Sequence, residues 1–365
     1  MRAIGAALGL AALVAFAGDA SASHDRRPCP TDARLGAVAY LRGTSLHLLD
    51  LSTCGDRVLV RRGASPPVEF IRGGRSIRYG RNSAVPVAGG RPVRVAAESG
   101  LRSPDGRLVA RIRARRRPGA KTGTQSIVVG GRAIYTLRES YRRAPAGAPG
   151  PLALVAWSAD SRWLLFYVDP MGSASIVADG IRLRAIRATG GQARKLVVTL
   201  GYPDYLAWCG RRLVATAGAS RLATENKWLV LASPPAWRAR KLVRGPARAW
   251  GSIACTADGA RLAAQSQPAS HNPSFFSTRW SLWSVRLDGS RRRLTAPPRG
   301  YADESPRWSR DGRALLFVRS RRGAGRLYLW RSGTVLGPLA NLGSSLGYYG
   351  HQDWWARADW WQPRP

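Results

Sequence analysis

The chain has 365 residues, enough for one large domain or two of ordinary size. Its 58 Lys and Arg against 21 Asp and Glu leave a formal charge of +37, so anionic partners enter at once. The four cysteines form no C-x-x-C pair, which argues against a zinc site. Reading from the start, Arg2, the apolar run from Ile4 to Ala17 and the A-x-A site Ala20-Ser21-Ala22 make a secretory signal peptide over residues 1–22. An uncleaved anchor is the alternative. Cys29, in "RRPCP", is misplaced for lipidation. No later apolar run reaches the roughly 20 residues of a membrane span. The mature chain is expected to be exported (secreted, periplasmic or cell-wall associated), with no transmembrane segment. An even cysteine count in such a compartment implies disulfides. Cleavage removes Arg2 and Asp19, so it leaves the charge unchanged.

Residues 23–34 read as an N-terminal arm. From residue 35 to 365 the chain is one succession of short strands. "AVAYL" leads to the hairpin "LHLLDLSTCGDRVLV" from Leu46, then "VEFIRGGRSIRYG" from Val68 and "SAVPVAGGRPVRVAA" from Ser83. "LRSPDGRLVARIRA" from Leu101 opens a clearer series. Its members are "VAWSADSRWLLFYVD" from Val155, "LAWCGRRLVATAG" from Leu206, "SIACTADGARLAAQS" from Ser252 and "SPRWSRDGRALLFVRS" from Ser305. Each is an apolar strand, a polar turn and a second apolar strand. Asp-Gly at such a turn predicts type I′ geometry, which needs positive φ at both central residues. Between the markers Ser103, Ser158, Cys209, Cys255 and Ser309 the steps are 55, 51, 46 and 54 residues. A second hairpin alternates with the first, as in "LRAIRATGGQARKLVVT" from Leu183 and "LWSVRLDGSRRRLTA" from Leu282. Two hairpins per unit make four strands, and four-stranded units at this period predict an all-β propeller.

"SPDGR" (103–107), "WSRDGR" (308–313) and "LDGSRRRLT" (287–295) resemble the WD40-like PD40 repeats of TolB-type β-propellers. The resemblance runs from about Leu35 to the end, and it implies a blade architecture rather than an activity. TolB carries an α/β domain before its propeller, and too few residues precede the first strand here for one. That departure puts a Tol–Pal role in doubt.

Inner hairpins near residues 70, 103, 158, 208, 254 and 308 give six units. "AVAYL" has no strand before it, and the chain ends in "GYYGHQDWWARADWW". The C-terminal tail is therefore expected to supply the missing inner strand, closing a ring of seven blades. Six blades follow instead if residues 36–97 form one irregular blade. In successive blades Trp208-Cys209 and Ala254-Cys255 hold the same place, so Cys209 should pair with Cys255, and Cys29 with Cys54.

The usual catalytic motifs are absent: G-x-S-x-G, H-E-x-x-H, the P-loop and the dinucleotide fingerprint. His24, His47, His271 and His351 are scattered, which argues against a His-held metal, and no cofactor is expected. Asp303-Glu304 could act as paired carboxylates, but neighbours on a strand point to opposite faces. Trp157, Trp208 and Trp308 recur at one blade position and read as core.

In a propeller the turns within hairpins lie at one end of the ring. The connections between hairpins and between blades lie at the other, and there the long loops gather. That end carries the candidate binding residues Arg115, Arg116, Arg117, Lys121, Arg142, Arg143, Arg299, Arg321, Arg322 and Tyr301, with Tyr141, Phe275 and Phe276 among them. The expected protein is a monomeric, non-enzymatic binding or scaffold module at the cell envelope. Its partner would be an envelope protein or an anionic polymer or lipid surface, with no specific nucleic acid. The alternative is a hydrolase or lyase acting on an envelope or extracellular polymer at the channel mouth. A composition-driven charge accounts for +37 as well as a functional one.

Overall fold

The computed structural model describes residues 29–363, apart from 97–99, 116–121, 141–151, 169–179, 244–247, 272–278, 346 and 348. The signal-peptide reading lies outside the described residues. Seven antiparallel sheets of four strands follow one another along the chain. Blade 1 holds Ala37–Arg42, Ser45–Asp50, Asp56–Val60 and the last strand of the chain, Ala358–Trp361. Blades 2 to 7 occupy residues 68–94, 101–140, 152–199, 206–241, 248–293 and 302–344. Among the described residues the count is seven, and residues 36–94 divide between two sheets rather than forming one irregular blade.

The C-terminal strand pairs antiparallel with the first, Trp360 opposite Val38. Side chains reinforce this junction. The Trp360 indole donates to the Leu35 carbonyl at 2.6 Å. Asp359 accepts from the Phe70 amide at 2.9 Å and from the Arg307 guanidinium at 2.8 Å. One carboxylate thus ties the innermost strands of blades 7, 1 and 2, which places the first strand of each sheet towards the axis.

Apolar faces of successive blades pack on one another at six junctions, while no buried apolar cluster among the described residues joins blades 2 and 3. Leu41 and Leu46 of blade 1 pack with Val68 and Ile77 of blade 2. Ile127 and Val129 of blade 3 meet Leu164 and Phe166 of blade 4. Leu165 and Leu183 meet Leu213 and Trp237. Leu229 and Leu231 meet Leu262 and Val285. Leu282 meets Leu315 and Phe317. Leu316, Leu329 and Leu339 of blade 7 close onto Val38, Tyr40 and Leu49 of blade 1. Each such side chain contributes about 1.5–3 kcal/mol by leaving water, so no blade stands alone energetically.

The repeated turn corrects one expectation. It is not type I′: Gly312 has φ +68°, but Asp311 is not among the residues of positive φ. The Gly312 amide instead bonds the Ser309 carbonyl at 2.8 Å, closing a type I turn with a left-handed glycine at its last position. The Ser309 hydroxyl donates to Asp311 Oδ1 at 2.6 Å, and the same oxygen accepts the Arg313 amide at 3.0 Å. Ser103–Asp105, Ser158–Asp160 and Thr256–Asp258 repeat this hydroxyl–carboxylate bond at 2.6, 2.6 and 2.5 Å. The motif is therefore a self-bonded Ser/Thr-x-Asp turn. Two disulfides brace the fold, Cys29–Cys54 and Cys209–Cys255, with Cα separations of 5.7 and 5.3 Å.

Candidate functional site at the mouth of the ring

The strand order sorts the loops by end. Connections between blades, and those between the second and third strands of a blade, share one end. At that end Tyr301 and Arg299 lie in the segment before the inner strand Ala302–Trp308, and Arg321 and Arg322 lie at the turn after Ala314–Arg321. The Arg321 guanidinium sits over the Tyr301 ring at 5.3 Å, joining the two loops. Arg299, Arg321 and Arg322 are exposed. Arg115 is exposed at the end of Val109–Arg115 in blade 3, at the same end of the ring but away from this patch. Arg116, Arg117, Lys121, Arg142 and Arg143 lie outside the described residues, as do Tyr141, Phe275 and Phe276.

The same end holds a buried polar network. The segment after Thr334–Ser344 runs across the mouth before entering the last strand. The Tyr349 carbonyl accepts from the Ala223 amide of blade 5 at 2.9 Å, and Arg221 lies over the Tyr349 ring at 5.1 Å. His351, 4% exposed, stacks on Tyr202 at 3.7 Å with the rings 7° apart. Its Nε2 reaches Asp204 Oδ1 at 2.8 Å. His351 precedes the inner strand of blade 1 and Asp204 that of blade 5, so this bond spans the mouth past blades 6 and 7. Ser252, on the inner strand of blade 6, donates its hydroxyl to Asp204 Oδ2 at 2.5 Å.

The charges follow from these contacts. Burial alone would raise the Asp204 carboxyl, but the His351 charge and the His351 and Ser252 hydrogen bonds outweigh it and hold it below the usual range. Burial likewise works against the His351 cation, and Asp204 overcomes it and raises the imidazole. Glu304, on the inner strand of blade 7, behaves differently. Burial pushes it up to about 7 against the hydrogen bond from the Ser320 hydroxyl. Beside these groups the Tyr205 hydroxyl, Ser305 Oγ and Gln352 Oε1 are buried with no hydrogen-bond partner among the described residues.

This arrangement is not a nucleophilic triad. A serine is activated when its hydroxyl gives its proton to histidine. Here Asp204 sits between the two, and both Ser252 and His351 bond the carboxylate. Ser252 and Glu304 are each 2% exposed, so neither is open to solvent, and residues 349–355 form a strap tied to blade 5 at Asp204 and to blade 7 at Ser305.

The other candidates resolve individually. Asp303 and Glu304 part company as neighbours on a strand should. Asp303 takes a two-pronged ion pair from Arg319 at 2.7 and 2.9 Å, while Glu304 turns to Ser320. His47 is buried on Ser45 and Tyr40, and His271 is exposed beside Glu225 at 2.7 Å. His24 lies outside the described residues. Trp157 and Trp308 are buried between blades, and Trp208 packs with Trp163 and Trp237. Among the described residues, no three His, Cys, Asp or Glu side chains converge as metal ligands, and no helix is long and apolar enough to cross a membrane.

Sequence reasoning missed Asp204, Ser252 and Arg307. Asp204 follows Pro203 in a short turn with no motif around it. Only its position just before an inner strand, which the repeat alignment fixes, could have marked it.

No family model matches the chain, and no curated protein matches it in sequence. Solved structures do match in fold. An oligogalacturonate lyase in complex with manganese is 16% identical, with TM-score 0.51 over 79% of this chain and 82% of that one. An oligogalacturonate lyase from Vibrio parahaemolyticus is 12% identical, with TM-score 0.51 over 84% and 92%. A puromycin hydrolase is 12% identical, with TM-score 0.51 over 89% of this chain but only 55% of its own. TolB from Acinetobacter baumannii, 12% identical, aligns over 83% and 78% with TM-score 0.39. At these identities the likeness concerns the fold alone. The chain has the fold of a β-propeller of four-stranded blades.

Proposed function

We propose that the protein is an exported, non-enzymatic binding or scaffold propeller. It works at the cell envelope through its long-loop end. The observation that carries this reading is the patch of exposed Arg299, Arg321 and Arg322 around the half-buried Tyr301, where Arg321 over Tyr301 joins two loops into one surface. Loops on a rigid scaffold are where recognition is usually built. Guanidinium groups suit phosphate and carboxylate because their planar fork bonds two oxygens at once. The two disulfides support passage through an oxidising compartment. The partner would be an envelope protein or an anionic polymer or lipid surface, met by one copy of the chain.

The enzyme alternative draws support from one observation, the convergence of Asp204, Glu304 and His351 at the mouth. The burial of Glu304 and His351, and the commitment of Ser252 to Asp204, weigh against it.

The test compares two charge-reversal variants of equal net charge. R299E/R321E/R322E alters the long-loop end, and R75E/R91E/R107E alters the short-turn end. Binding to anionic-lipid vesicles and to anionic wall polymer is measured across a salt series. The reading expects the first variant to lose far more binding than the second, and expects affinity to fall steeply with salt. Equal losses would make the charge generic.

A further inference from the structure

The opposite end of the ring carries a cleft that the long-loop reading does not use. It lies between blades 4 and 5, has a volume of about 650 Å³, and is walled by four hairpin turns. Arg162 comes from the first turn of blade 4 and Arg187 from the end of its third strand. Arg211 and Arg212 come from the first turn of blade 5. All four are exposed. Trp163 lies on the wall with the Arg187 guanidinium 5.4 Å above its ring, which fixes that cation in place.

The cleft holds a single carboxylate, Asp160, and its capacity is largely spent. Oδ1 accepts the Ser158 hydroxyl and the Arg162 amide, and Oδ2 is 3.7 Å from Arg211. Among the described residues, the guanidinium groups of Arg162, Arg187 and Arg212 make no salt bridge. In a chain of charge +37 an exposed arginine is ordinary. Four arginines from two adjacent blades lining one concave, rigidly walled space are not. The walls are stiff because the Ser158–Asp160 turn is bonded to itself and because Cys209, one residue before the blade 5 turn, is tied to Cys255.

We propose that this cleft is a binding site for a compact multivalent oxyanion, a small molecule bearing at least two phosphate or carboxylate groups. The volume falls within the roughly 300–1,000 Å³ of ordinary ligand sites, which favours a small molecule over a polymer. Four guanidiniums outnumber the one carboxylate, so an anion of charge two or more balances the site. Planar forks arriving from separate turns match oxygens on different groups of one ligand. The inference is independent of the long-loop end, since none of its residues lies there.

Isothermal titration with inorganic pyrophosphate and, separately, with citrate tests the proposal. It is run at about 150 mM salt, where long-range attraction is screened beyond about 8 Å. The R162A/R212A variant is compared with R75A/R91A, which removes equal charge from the hairpin turns of blade 2 at the same end. The parent should bind one or both anions saturably at one site. R162A/R212A should weaken that binding about tenfold or more, from the loss of charge-assisted hydrogen bonds, and R75A/R91A should change it by less than about twofold. A stronger response to pyrophosphate assigns the ligand to the phosphate class, and a stronger response to citrate to the carboxylate class. Equal weakening in the two variants, or no saturable binding by the parent to either probe, overturns the proposal.

Discussion

Replacing Glu304 with Gln should change how stability depends on pH. Glu304 is 2% exposed, and burial moves its carboxyl from 4.5 to about 7 in the fold. Between those values the native state holds a proton that the unfolded chain has released, so stability falls as pH rises through the window. At about 1.4 kcal/mol per pH unit, the displacement amounts to about 3 kcal/mol, complete only above pH 7. His351 acts in the same direction. Its raised value means that its contribution is full below about 6.5 and is lost as pH climbs through the folded value. Asp204 acts oppositely, contributing above its ordinary value of 3.8 and losing that contribution in acid. The amide introduced by E304Q has nothing to ionise, and its carbonyl can still accept from the Ser320 hydroxyl. Urea unfolding followed by tryptophan fluorescence, from about pH 5 to about pH 8, separates these contributions. The parent should lose about 2–3 kcal/mol more than E304Q across that range, part of the displacement being already lost at pH 5, and E304Q should be the more stable protein at the alkaline end. Parallel curves for the two proteins would refute the claim that Glu304 is held neutral by burial.

Deleting residues 348–365 removes the inner strand of blade 1 along with the buried Trp354 and Trp360. It exposes two sheet edges, and calorimetry should show no cooperative transition; a melt near the full-length temperature would make the tail an appendage. C209S/C255S opens a link across 46 residues, which should cost about 4 kcal/mol on the chain-entropy account, measured by denaturant unfolding under non-reducing conditions. D359N keeps the shape but removes the charge that Arg307 faces and weakens the acceptor of the Phe70 amide. A loss of about 1–3 kcal/mol is expected, and no change would show that the junction of blades 7, 1 and 2 rests on apolar packing alone.

The architecture is legible in the sequence because a blade is a local object repeated. Period, turn residues and alternating apolar strands all lie within about 50 residues of one another, and the tail can be assigned by what blade 1 lacks. The turn type is not legible from Asp-Gly alone. The deciding atom is the hydroxyl two positions before Asp311, which engages the carboxylate and favours a type I turn with one left-handed residue. The mouth network is illegible for the opposite reason. Asp204, Ser252, Glu304 and His351 are carried by different blades or by the strap, separated by 48 residues between the first two and 147 between Asp204 and His351. Only ring geometry brings them together. His351 shows this limit most clearly: in the sequence it is one of four scattered histidines, while in the fold it sits at the mouth, held by a carboxylate and an aromatic face. The Arg162–Arg212 cleft is hidden by composition. Where arginine is everywhere, only curvature and the scarcity of acidic partners distinguish a site from a solvated surface, and both are properties of adjacent blades rather than of any stretch of sequence.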